Sequence, residues 1–569
     1  MKKINNFLKL ISIVGVSKTY TVFLVFLMLF SSVLDILSLG LIAPYISTIF
    51  DIEQTQTNLF FFDLGSYKKD EIVIYLTFFL IFIFFIKTFF SIYTRWLIFL
   101  FAHKQFAILQ VKLMSAYQNM NYQDYISRSS SEYIRNIREF CGQCLTNIDS
   151  TLRVLSELII FLAIIIFLGI LNFKILLYVC LTILPIFLIY EKLLKPINIK
   201  LGKIKNDSLK QMYKNIDSGI TGLKEVRVLT KQNFFLKKIS FFADKIYSIE
   251  KKSILISDSP RYVFEFFIIS LALITLLILS KNSTDLRIFL PSLGVFLLAG
   301  LRLLPTIASI TSSLSRIGYG QHAVKKVYED LEKYYFKLKS NSGLNRVTNF
   351  ENLIIKDVNF TYENSNLKVF ENINFDLKKN DCIGIIGESG SGKTTFVDMI
   401  LGLLKPDRGK ILLNNKIVSN IPNNMNDIAY LPQDPIILDE KISINISLEN
   451  DEKLIDKNKI KEAMRRSNFE KIASDLPNKV ETSIGENGIR LSGGQNKRLA
   501  LARAFYHGKE IIIMDEATSS LDIDNENYIA EQINDLKGKL TIIIISHHKN
   551  ILKYCDKIYK IENKNIRLV

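Results

Sequence analysis

A glycine-rich loop in the second half of the chain has the residue types and the spacing to bind phosphate. It follows the apolar run Cys382 to Ile386, which predicts a buried strand, and it precedes a helical pattern from Thr394 to Leu403. Glycines let successive backbone N–H groups turn toward one concave surface, and a helix N-terminus adds further free N–H groups. Taken alone, the loop indicates either a nucleotide site or an ordinary glycine turn. It matches G-x-x-x-x-G-K-T and consists of Gly387, Glu388, Ser389, Gly390, Ser391, Gly392, Lys393 and Thr394.

The end of this loop carries the most specific predictions. In a phosphate loop the lysine reaches the β- and γ-phosphates and the next hydroxyl ligates Mg²⁺, so we expect these roles of Lys393 and Thr394. Thr395 follows on the same helix start, and we include it among the nucleotide contacts. The sequence therefore predicts a polyphosphate held together with Mg²⁺.

A second segment repeats the combination of small residues with a helix start. The sequence Leu491-Ser492-Gly493-Gly494-Gln495 precedes a clear helical pattern from Lys497 to Tyr506. Free N–H groups at this helix N-terminus make a second anion-binding end. Two phosphate-facing helix ends in one domain indicate a shared nucleotide.

Polar side chains follow three further apolar runs that predict strands. Asp515 and Glu516 come directly after one run, Gln433 after another and His547 after the third. Asp522 lies shortly beyond the first run, and we include it among the nucleotide contacts. Phosphoryl transfer needs one carboxylate in the Mg²⁺ shell and another that takes a proton from the attacking water, which we assign to Asp515 and Glu516. The amide of Gln433 suits Mg²⁺ and water, and His547 suits a hydrogen bond to the γ-phosphate.

Tyr362 has two interpretations. It ends a predicted strand, Leu353 to Tyr362, upstream of the phosphate loop, where its ring is placed to stack on a nucleotide base. A tyrosine packed in the core explains the same position, and the sequence leaves both interpretations open.

The elements that must position these residues occupy only the second part of the chain. At 569 residues the chain is too long for one core, and residues 1–330 contain long apolar runs, whereas the remainder has an ordinary α/β pattern. We therefore predict a helical membrane domain over 1–330, a linker over 331–350 and a nucleotide-binding domain over 351–569.

Six stretches are long and apolar enough to cross a bilayer, where about 20 residues span a hydrocarbon core of about 30 Å. The segment before them, residues 1–18, predicts an amphipathic helix on the cytoplasmic face rather than a signal peptide. The long stretches 103–150 and 195–261 are helical in pattern, and under the positive-inside rule they face the cytoplasm. The predicted spans are 20–50, 71–101, 152–172, 174–194, 262–281 and 287–310.

The net charge of +17 is placed in a way that argues against nucleic-acid binding. Basic residues are dense between Lys195 and Arg261, within a predicted cytoplasmic loop, and no nucleic-acid recognition module accompanies them. The five cysteines are scattered, and Cys141 and Cys144 read as small buried side chains, so no disulfide framework is expected.

Charged residues inside the predicted spans are costly near the midplane, so each should face a cavity, a partner or an interface. These residues are Asp35, Lys87, Arg95, Glu265 and Arg302. Snorkelling to the headgroups explains Lys87 and Arg95 as well as a functional role does. Arg302 is the better candidate, since a cation there suits an anionic cargo.

In their order along the chain, the phosphate loop, Gln433, Leu491–Gln495, the Asp515–Glu516 strand and His547 resemble the ATP-binding cassette (ABC) family over residues 350–569. Behind six spans they resemble an ABC exporter half-transporter. The resemblance implies ATP and Mg²⁺ as cofactors and a homodimer in which ATP is sandwiched between Lys393 of one copy and Ser492 to Gln495 of the other. Because Glu516 and His547 are both present, hydrolysis is expected at both sites, which counts against an ATP-gated channel or regulator.

The membrane half resembles one subgroup, the lipid-linked oligosaccharide flippases of bacterial protein glycosylation (PglK type). The resemblance rests on short fragments, namely Asp35 to Ile46, 119–125 with Ser131 and Glu132, and 302–305. It implies a multi-pass protein of the bacterial inner membrane, with its ATP-binding domain in the cytoplasm, that moves a polyprenyl-pyrophosphate glycan to the outer leaflet. A lipid A type, multidrug or peptide exporter shares the cassette motifs and stays open as a rival hypothesis, whereas six spans exclude a soluble cassette ATPase.

Overall fold

The chain folds into two compact units. The first contains residues 1–120 and 125–340, and the second contains 121–124 and 341–569. The computed structural model describes residues 18–49, 58–59, 62–63, 69–171, 173, 177, 185, 188–281, 286–336, 350–362, 367–417, 428–485, 491–516 and 523–569. The predicted amphipathic helix at 1–18, apart from its last residue, lies outside these described residues.

The first unit is built from helices, apart from a short two-stranded hairpin, Asn58–Leu59 (β1) with Phe62–Asp63 (β2). Wider π-helical turns at Asn136–Phe140, Tyr190–Leu194 and Leu331–Phe336 adjoin the ends of α-helices. The α-helices are Lys18–Gly40 (α1), Ile42–Ile49 (α2), Lys69–Gln118 (α3), Tyr122–Ile126 (α4), Ser130–Arg135 (α5), Cys141–Leu171 (α6), Lys195–Thr221 (α7), Leu223–Val228 (α8), Gln232–Lys281 (α9) and Leu286–Asp330 (α10).

Several of these helices are much longer than a bilayer is thick. With 50 residues, α3 extends for about 75 Å at a rise of about 1.5 Å per residue. Within the described ranges three helices are long and apolar enough to cross a membrane, namely Thr19–Gly40, Glu71–Gln118 and Ser130–Ile170. They correspond to the first three predicted spans.

The other three predicted spans stay predictions. Most of 174–194 lies outside the described residues, while 262–281 and 287–310 fall within α9 and α10, where many side chains are not described. The prediction that the stretches 103–150 and 195–261 are helical is confirmed, because α3 to α6 and α7 to α9 occupy them almost without interruption.

The helices of the first unit pack at close range where glycine permits it. A Cβ atom on Gly202 of α7 would lie 2.2 Å from the carbonyl oxygen of Tyr319 on α10, so only glycine fits at this crossing. Elsewhere apolar side chains from several helices form separate buried clusters. One of them joins Leu39, Ile164, Phe264 and Leu303 from α1, α6, α9 and α10.

The second unit combines two sheets with helices. The helices are Lys393–Ile400 (α11), Ile442–Ser447 (α12), Lys457–Arg466 (α13), Glu470–Ser474 (α14), Gly493–Tyr506 (α15), Ile523–Leu536 (α16) and Lys549–Leu552 (α17). Short 3₁₀ turns lie at Glu452–Leu454 and Lys479–Glu481. The strands are Asn352–Thr361 (β3), Lys368–Lys378 (β4), Cys382–Gly387 (β5), Arg408–Leu413 (β6), Lys416–Ile417 (β7), Ile428–Leu431 (β8), Ile511–Asp515 (β9), Thr541–Ile545 (β10), Lys557–Glu562 (β11) and Asn565–Leu568 (β12).

The larger sheet has the order β12-β11-β5-β10-β9-β8, and its strands are parallel except for β12. The smaller sheet, β4-β3-β6-β7, is antiparallel. In a parallel sheet the carboxyl ends of neighbouring strands meet at one edge. The ends of β5, β10, β9 and β8 therefore share an edge. The phosphate loop follows β5, and the predicted catalytic residues follow the other three strands.

Both faces of the larger sheet are covered, which explains its continuous apolar runs. In β10, Ile542 and Ile544 join a core that includes residues of α13 and α15, whereas Ile543 and Ile545 join a core that includes α11 and the smaller sheet. Successive side chains on a strand point to opposite faces, so each strand of this type contributes to both cores. The strand ends are thus held by packing on two sides.

The predicted elements around the site are present, with shifted ends. The phosphate-loop helix was predicted to reach Leu403 but ends at Ile400, where the chain turns back through Gly402 with a φ of +69°. The helix predicted from Lys497 begins at Gly493, because Ser492 caps it. At the predicted linker, helical turns continue to Phe336, and 337–349 lie outside the described residues.

Candidate functional site

The phosphate loop connects β5 to α11, and its glycines are required by its backbone. Gly390 and Gly392 have φ values of +81° and +104°, which side-chain-bearing residues rarely adopt. A Cβ atom on Gly392 would also lie 2.9 Å from the ring of the buried Phe370. The loop therefore lies against the core that contains Phe370 and α11. It leads into α11, whose first backbone N–H groups can bind a ligand.

The side chains of the loop fit a polyphosphate. Lys393 bends back over the loop, and its Nζ donates to the carbonyl oxygens of Gly387 and Glu388 at 2.7 and 2.9 Å. The Ser391 Oγ is buried and has no hydrogen-bond partner among the described residues. A buried hydroxyl without a partner is unfavourable, so the loop gains free energy when an oxygen-rich ligand arrives. Ser389 is exposed beside it.

The two threonines after Lys393 point to different surroundings. Thr394 is exposed at the start of α11, where its hydroxyl is free to hold a metal ion. Thr395 is buried, and its hydroxyl shares a hydrogen bond of 2.9 Å with the hydroxyl of Tyr362. The Tyr362 ring is half-buried and packs against the core edge-to-face with Phe360. This contact accounts for the tyrosine structurally, and base stacking by Tyr362 stays a prediction.

Asp515 ends β9 as a buried carboxylate. Its side chain is 8% exposed, and the Tyr430 hydroxyl donates to its Oδ2 at 3.1 Å. Burial raises the pKa of Asp515, while the hydrogen bond from Tyr430 lowers it. Asp398 on α11 lies near Asp515. Burial and the charge of Asp515 raise the pKa of Asp398 to about 6. These buried carboxylates lack a salt bridge among the described residues, which suits a divalent cation.

Glu516, Gln433 and His547 come together beside Asp515, each just beyond the end of the strand that the sequence predicted before it. Gln433 Nε2 donates to Glu516 Oε2 at 3.0 Å, which leaves the amide oxygen of Gln433 available to a metal ion or water. His547 Nε2 lies 3.9 Å from Glu516 Oε1. Glu516 also has a φ of +47°, and its N–H donates to the Ile545 carbonyl at 3.0 Å. Left-handed backbone at a non-glycine residue is typical of functional sites.

The segment Ser492–Gln495 forms a helix cap. Ser492 Oγ accepts a hydrogen bond from the Gln495 N–H at 3.3 Å, and Gln495 Oε1 accepts one from the Ser492 N–H at 2.9 Å. This capping box fixes the start of α15 and leaves the amides of Gly493 and Gly494 at its end. Both hydrogen bonds stay within the cap, so the predicted nucleotide contacts of this segment stay predictions.

The sequence missed three residues that shape the site. Tyr430 lies within β8 and holds Asp515, Asp398 lies within α11, and Lys497 on α15 donates from Nζ to the Glu516 carbonyl at 3.1 Å. Burial lowers the pKa of Lys497. A charged residue inside an otherwise apolar stretch was the available signal for Asp398. The remaining predicted residue, Asp522, lies outside the described residues.

Three of the charged residues within the predicted spans, Asp35, Lys87 and Arg302, pair with one another. Arg302 donates from Nε to Asp35 Oδ1 at 3.1 Å and from Nη2 to Asp35 Oδ2 at 2.9 Å. Lys87 Nζ lies 2.7 Å from Asp35 Oδ1. Asp35 is completely buried. Glu157 on α6, which the sequence analysis did not single out, interacts electrostatically with both Arg302 and Asp35.

Two other predicted charges differ from this cluster. Arg95 pairs with Asp149 at 3.4 Å, with 42% of the arginine side chain exposed, whereas Glu265 is exposed on the single chain. Lys87 and Arg95 therefore both have carboxylate partners. Arg302 is bound bidentately, so an anion that reaches it must compete with Asp35.

Part of the second unit matches a known protein family. Residues 370–519 match the family model described as ABC transporter. This range contains the phosphate loop, Gln433, the Ser492 cap and Glu516, whereas His547 lies beyond it.

Sequence comparison found relatives that are named as flippases or ABC transporters. The chain is 31% identical over 217 residues to the ATP-dependent lipid A-core flippase of Cupriavidus pinatubonensis (38% of this chain, 37% of that protein). It is 25% identical over 385 residues to the protein of the same name from Dechloromonas aromatica (67% and 65%). It also matches ABC transporter B family member 14 of Arabidopsis thaliana, with 31% identity over 261 residues (45% and 21%). The chain thus spans between 21% and 65% of the length of these relatives.

Structural comparison covers almost the entire chain. The structure of a bacterial Atm1-family ABC exporter with ATP bound superposes with a TM-score of 0.78, covering 97% of this chain and 95% of that one. The sequence identity is 16%, so this likeness concerns the fold.

Proposed function

We propose, from the premise that this chain has the fold of an exporter-type ABC transporter, that it uses ATP hydrolysis to move an amphipathic cargo across the bacterial inner membrane. The observation that carries the proposal is the meeting of Gln433, Glu516 and His547 beside a phosphate loop in a chain with three membrane-length helices among its described residues. The proposed arrangement has residues 1–330 in the membrane, 331–350 as the linker and 351–569 in the cytoplasm.

The residues at the candidate site each have a proposed role in ATP hydrolysis. Lys393 and the N–H groups of the loop bind the phosphates, while Thr394, Gln433 and Asp515 would hold Mg²⁺, which supplies Lewis-acid charge stabilisation when bound. Glu516 takes the proton of the attacking water, and His547 binds the γ-phosphate. The hydrogen bond from Gln433 and the left-handed backbone hold the Glu516 carboxylate at the strand edge.

The nucleotide site is proposed to be completed by a second copy of the chain. Ser492 and Gln495 close the capping box, which leaves the N–H groups of Gly493 and Gly494 at the end of α15. We propose that this segment, Ser492, Gly493, Gly494 and Gln495, binds the phosphates held by the partner. Asp522 is proposed to lie at the same junction. Closure of two such cassettes on ATP and their release after hydrolysis would drive the membrane helices.

The cargo is proposed to be an anionic lipid, most specifically a polyprenyl-pyrophosphate-linked oligosaccharide. Arg302 and Lys87 offer two cations that share one buried carboxylate, and a pyrophosphate can replace Asp35 as their partner. Lipid A is the second candidate, favoured by the two relatives named lipid A-core flippases. A drug and a peptide are the third and fourth candidates.

The hydrolysis proposal is tested with Glu516→Gln in the purified chain. Removing the general base should lower ATP hydrolysis by about 10²- to 10⁴-fold, while ATP stays bound, because the amide keeps the shape of the carboxylate. Phosphate release and retention of labelled nucleotide are measured side by side. Hydrolysis at the wild-type rate would assign the base to another residue.

The cargo proposal is tested in liposomes that contain the reconstituted chain. ATP-dependent movement of a polyprenyl-pyrophosphate oligosaccharide is compared with that of lipid A, a drug and a peptide. Arg302→Ala should reduce movement of the anionic lipid more than basal hydrolysis, whereas Arg95→Ala is the control for loss of a more exposed arginine. Equal loss of transport and hydrolysis in Arg302→Ala would mean a structural role, and movement of the drug or peptide alone would refute the lipid cargo.

A further inference from the structure

Two cysteines of the second unit lie in contact although they are far apart in the sequence. Cys382 is the first residue of β5, and Cys555 lies in the turn between α17 and β11. Their Sγ atoms are 4.0 Å apart and share a weak hydrogen bond. Cys382 is fully buried, whereas Cys555 is half-buried and is the more exposed residue of the two.

The backbone around this pair is held by hydrogen bonds. The Asp556 N–H donates to the Cys382 carbonyl at 2.7 Å, and the Cys382 N–H donates to Asp556 Oδ2 at 3.0 Å. Lys537 Nζ donates to the Tyr554 carbonyl at 3.0 Å and lies 2.6 Å from Asp556 Oδ1. These contacts keep the turn that carries Cys555 close to the first residue of β5, so the two thiols stay in proximity.

We propose that Cys382 and Cys555 form an oxidation site of the cassette, in which a hydroperoxide converts the two thiols into a disulfide. The sulfur atoms must approach from 4.0 Å to about 2.05 Å. Because β5 is bonded on both sides, to β10 and β11, the turn that carries Cys555 makes most of this movement.

The reaction balances in two steps. The accessible Cys555 thiolate attacks a peroxide oxygen, the O–O bond breaks, and a sulfenic acid forms while the leaving oxygen takes a proton to become an alcohol or water. The Cys382 thiolate then attacks the Cys555 sulfur, the S–O bond breaks, and the hydroxide takes a proton to leave as water. Two thiols are oxidised, and one peroxide is reduced by two electrons.

The greater exposure of Cys555 assigns the first step to it, and the electrostatics of the pair suit Cys382 to the second step. The hydrogen bond between the thiols lowers the pKa of Cys382 and raises the pKa of Cys555. Cys382 is thus the more easily ionised thiol but is shielded, which suits the second step. The first step depends on ionisation of Cys555, so disulfide formation should accelerate as the pH rises.

The disulfide would affect the proposed ATP hydrolysis through His547. A continuous hydrogen-bonded path leads from His548, through the N–H of Leu552 on α17, to the N–H of Cys555. Pulling Cys555 toward β5 therefore displaces the segment that begins directly after His547. Space is limited here, because a Cβ atom on Gly384 would already lie 3.3 Å from the Cys555 Sγ. This consequence rests on the proposed function, whereas formation of the disulfide does not.

The test treats the purified full-length chain with hydrogen peroxide. Mass spectrometry of digested protein should reveal a peptide pair linked through Cys382 and Cys555, formed faster at higher pH and lost on treatment with a dithiol. Hydrolysis of ATP should fall as the linked peptide accumulates and return after reduction. Absence of the linked peptide, while other cysteines become oxidised, would overturn the proposal.

Matched variants separate this site from other oxidation. Cys555→Ser should remove both the linked peptide and the loss of activity caused by peroxide, and Cys382→Ser should do the same. Cys141→Ser/Cys144→Ser, which changes two buried thiols of the first unit, should behave like the wild type. Loss of activity in Cys555→Ser equal to that of the wild type would exclude the inhibitory effect. If the untreated chain hydrolyses no ATP, the proposed function fails while the linked peptide still decides the oxidation site.

Discussion

Two buried aspartates, one in each unit, have opposite electrostatic surroundings. Asp35 in the first unit is fully buried but has Arg302 and Lys87 within 2.9 Å. Asp515 in the second unit is 8% exposed and accepts a hydrogen bond from the neutral Tyr430. The charges of Glu516 and Lys393 act on it in opposite directions. One carboxylate is compensated by the protein itself, whereas the other is not.

This contrast shows how burial can serve structure in one place and chemistry in another. A buried carboxylate with two cations has its charge balanced, and removing either cation is costly. A buried carboxylate without a cation raises the free energy of the empty fold, and that cost is recovered when a cation binds. The comparison therefore predicts that neutralising the two aspartates changes stability in opposite directions.

The largest expected effect comes from Asp515→Asn. Loss of a metal-binding carboxylate should lower Mg²⁺-dependent ATP hydrolysis by at least about 100-fold, since loss of mere supporting residues at metal sites costs about 10- to 100-fold. Without nucleotide the same variant should unfold at the wild-type temperature or higher, because a poorly compensated buried charge is removed. Both quantities are measured on the full chain in detergent. Tyr430→Phe is the control, since it removes the hydrogen bond but keeps the carboxylate.

A decrease in the unfolding temperature of nucleotide-free Asp515→Asn would contradict the comparison, because it would show that the carboxylate already stabilises the empty cassette. Hydrolysis close to the wild-type rate would remove Asp515 from the proposed metal site.

The next effect in size concerns the membrane cluster. Arg302→Ala should destabilise the first unit by about 3–5 kcal/mol, because Asp35 stays buried with Lys87 alone. Asp35→Asn should also destabilise, since two cations then lie close together. The double variant Asp35→Asn/Arg302→Ala should be less destabilised than the sum of the two single changes. Thermal unfolding of the four proteins in detergent measures this coupling.

Arg95→Ala provides the matched control for the cluster. Its pair with Asp149 is longer, at 3.4 Å, and more exposed, so its loss should cost about 0–1 kcal/mol. Strict additivity of the Asp35 and Arg302 changes would show that this ion pair does not stabilise the fold.

The cassette could be predicted largely from its sequence because its chemistry follows local rules. Gln433, Glu516 and His547 each come after an apolar strand, and the strand ends of a parallel sheet meet at one edge. The glycines of the phosphate loop are equally readable, because positive φ values favour that residue. The Tyr430 contact could not be predicted, since a tyrosine inside a strand looks like any other core residue.

The membrane cluster of Asp35, Lys87 and Arg302 was less predictable from the sequence than the cassette. The sequence indicated that charges within spans need a partner, but Asp35 and Arg302 are separated by 267 positions. Which helices become neighbours, and how each is rotated, is decided by packing along their whole length rather than by any local pattern. The prediction that Arg302 is a cation suited to an anionic cargo therefore did not include its bidentate contact with Asp35.

The smallest of the expected effects concerns Asp398, which lies near Asp515. Its folded-state pKa is raised from 3.8 to about 6, so the proton that it keeps favours the folded state below about pH 4, and this contribution is lost as the pH rises through about 6. A difference of roughly two pKa units corresponds to about 3 kcal/mol. In the Asp398→Asn variant the side chain carries no charge at any pH. The nucleotide-free variant should therefore be more stable than the wild type by up to about 3 kcal/mol at pH 8.

The pH profile decides whether the carboxylate charge is the cause. The advantage of Asp398→Asn over the wild type should shrink between pH 7 and pH 5 and disappear near pH 4, as measured by thermal unfolding. Asp407→Asn, which alters an exposed carboxylate on the chain segment after α11, should change stability by less than about 0.5 kcal/mol. Saturating Mg²⁺ and ATP should also reduce the advantage of Asp398→Asn, because the cation then compensates the neighbouring Asp515. An advantage that is the same at all pH values, with or without Mg²⁺, would mean that packing rather than charge distinguishes this site from the paired Asp35.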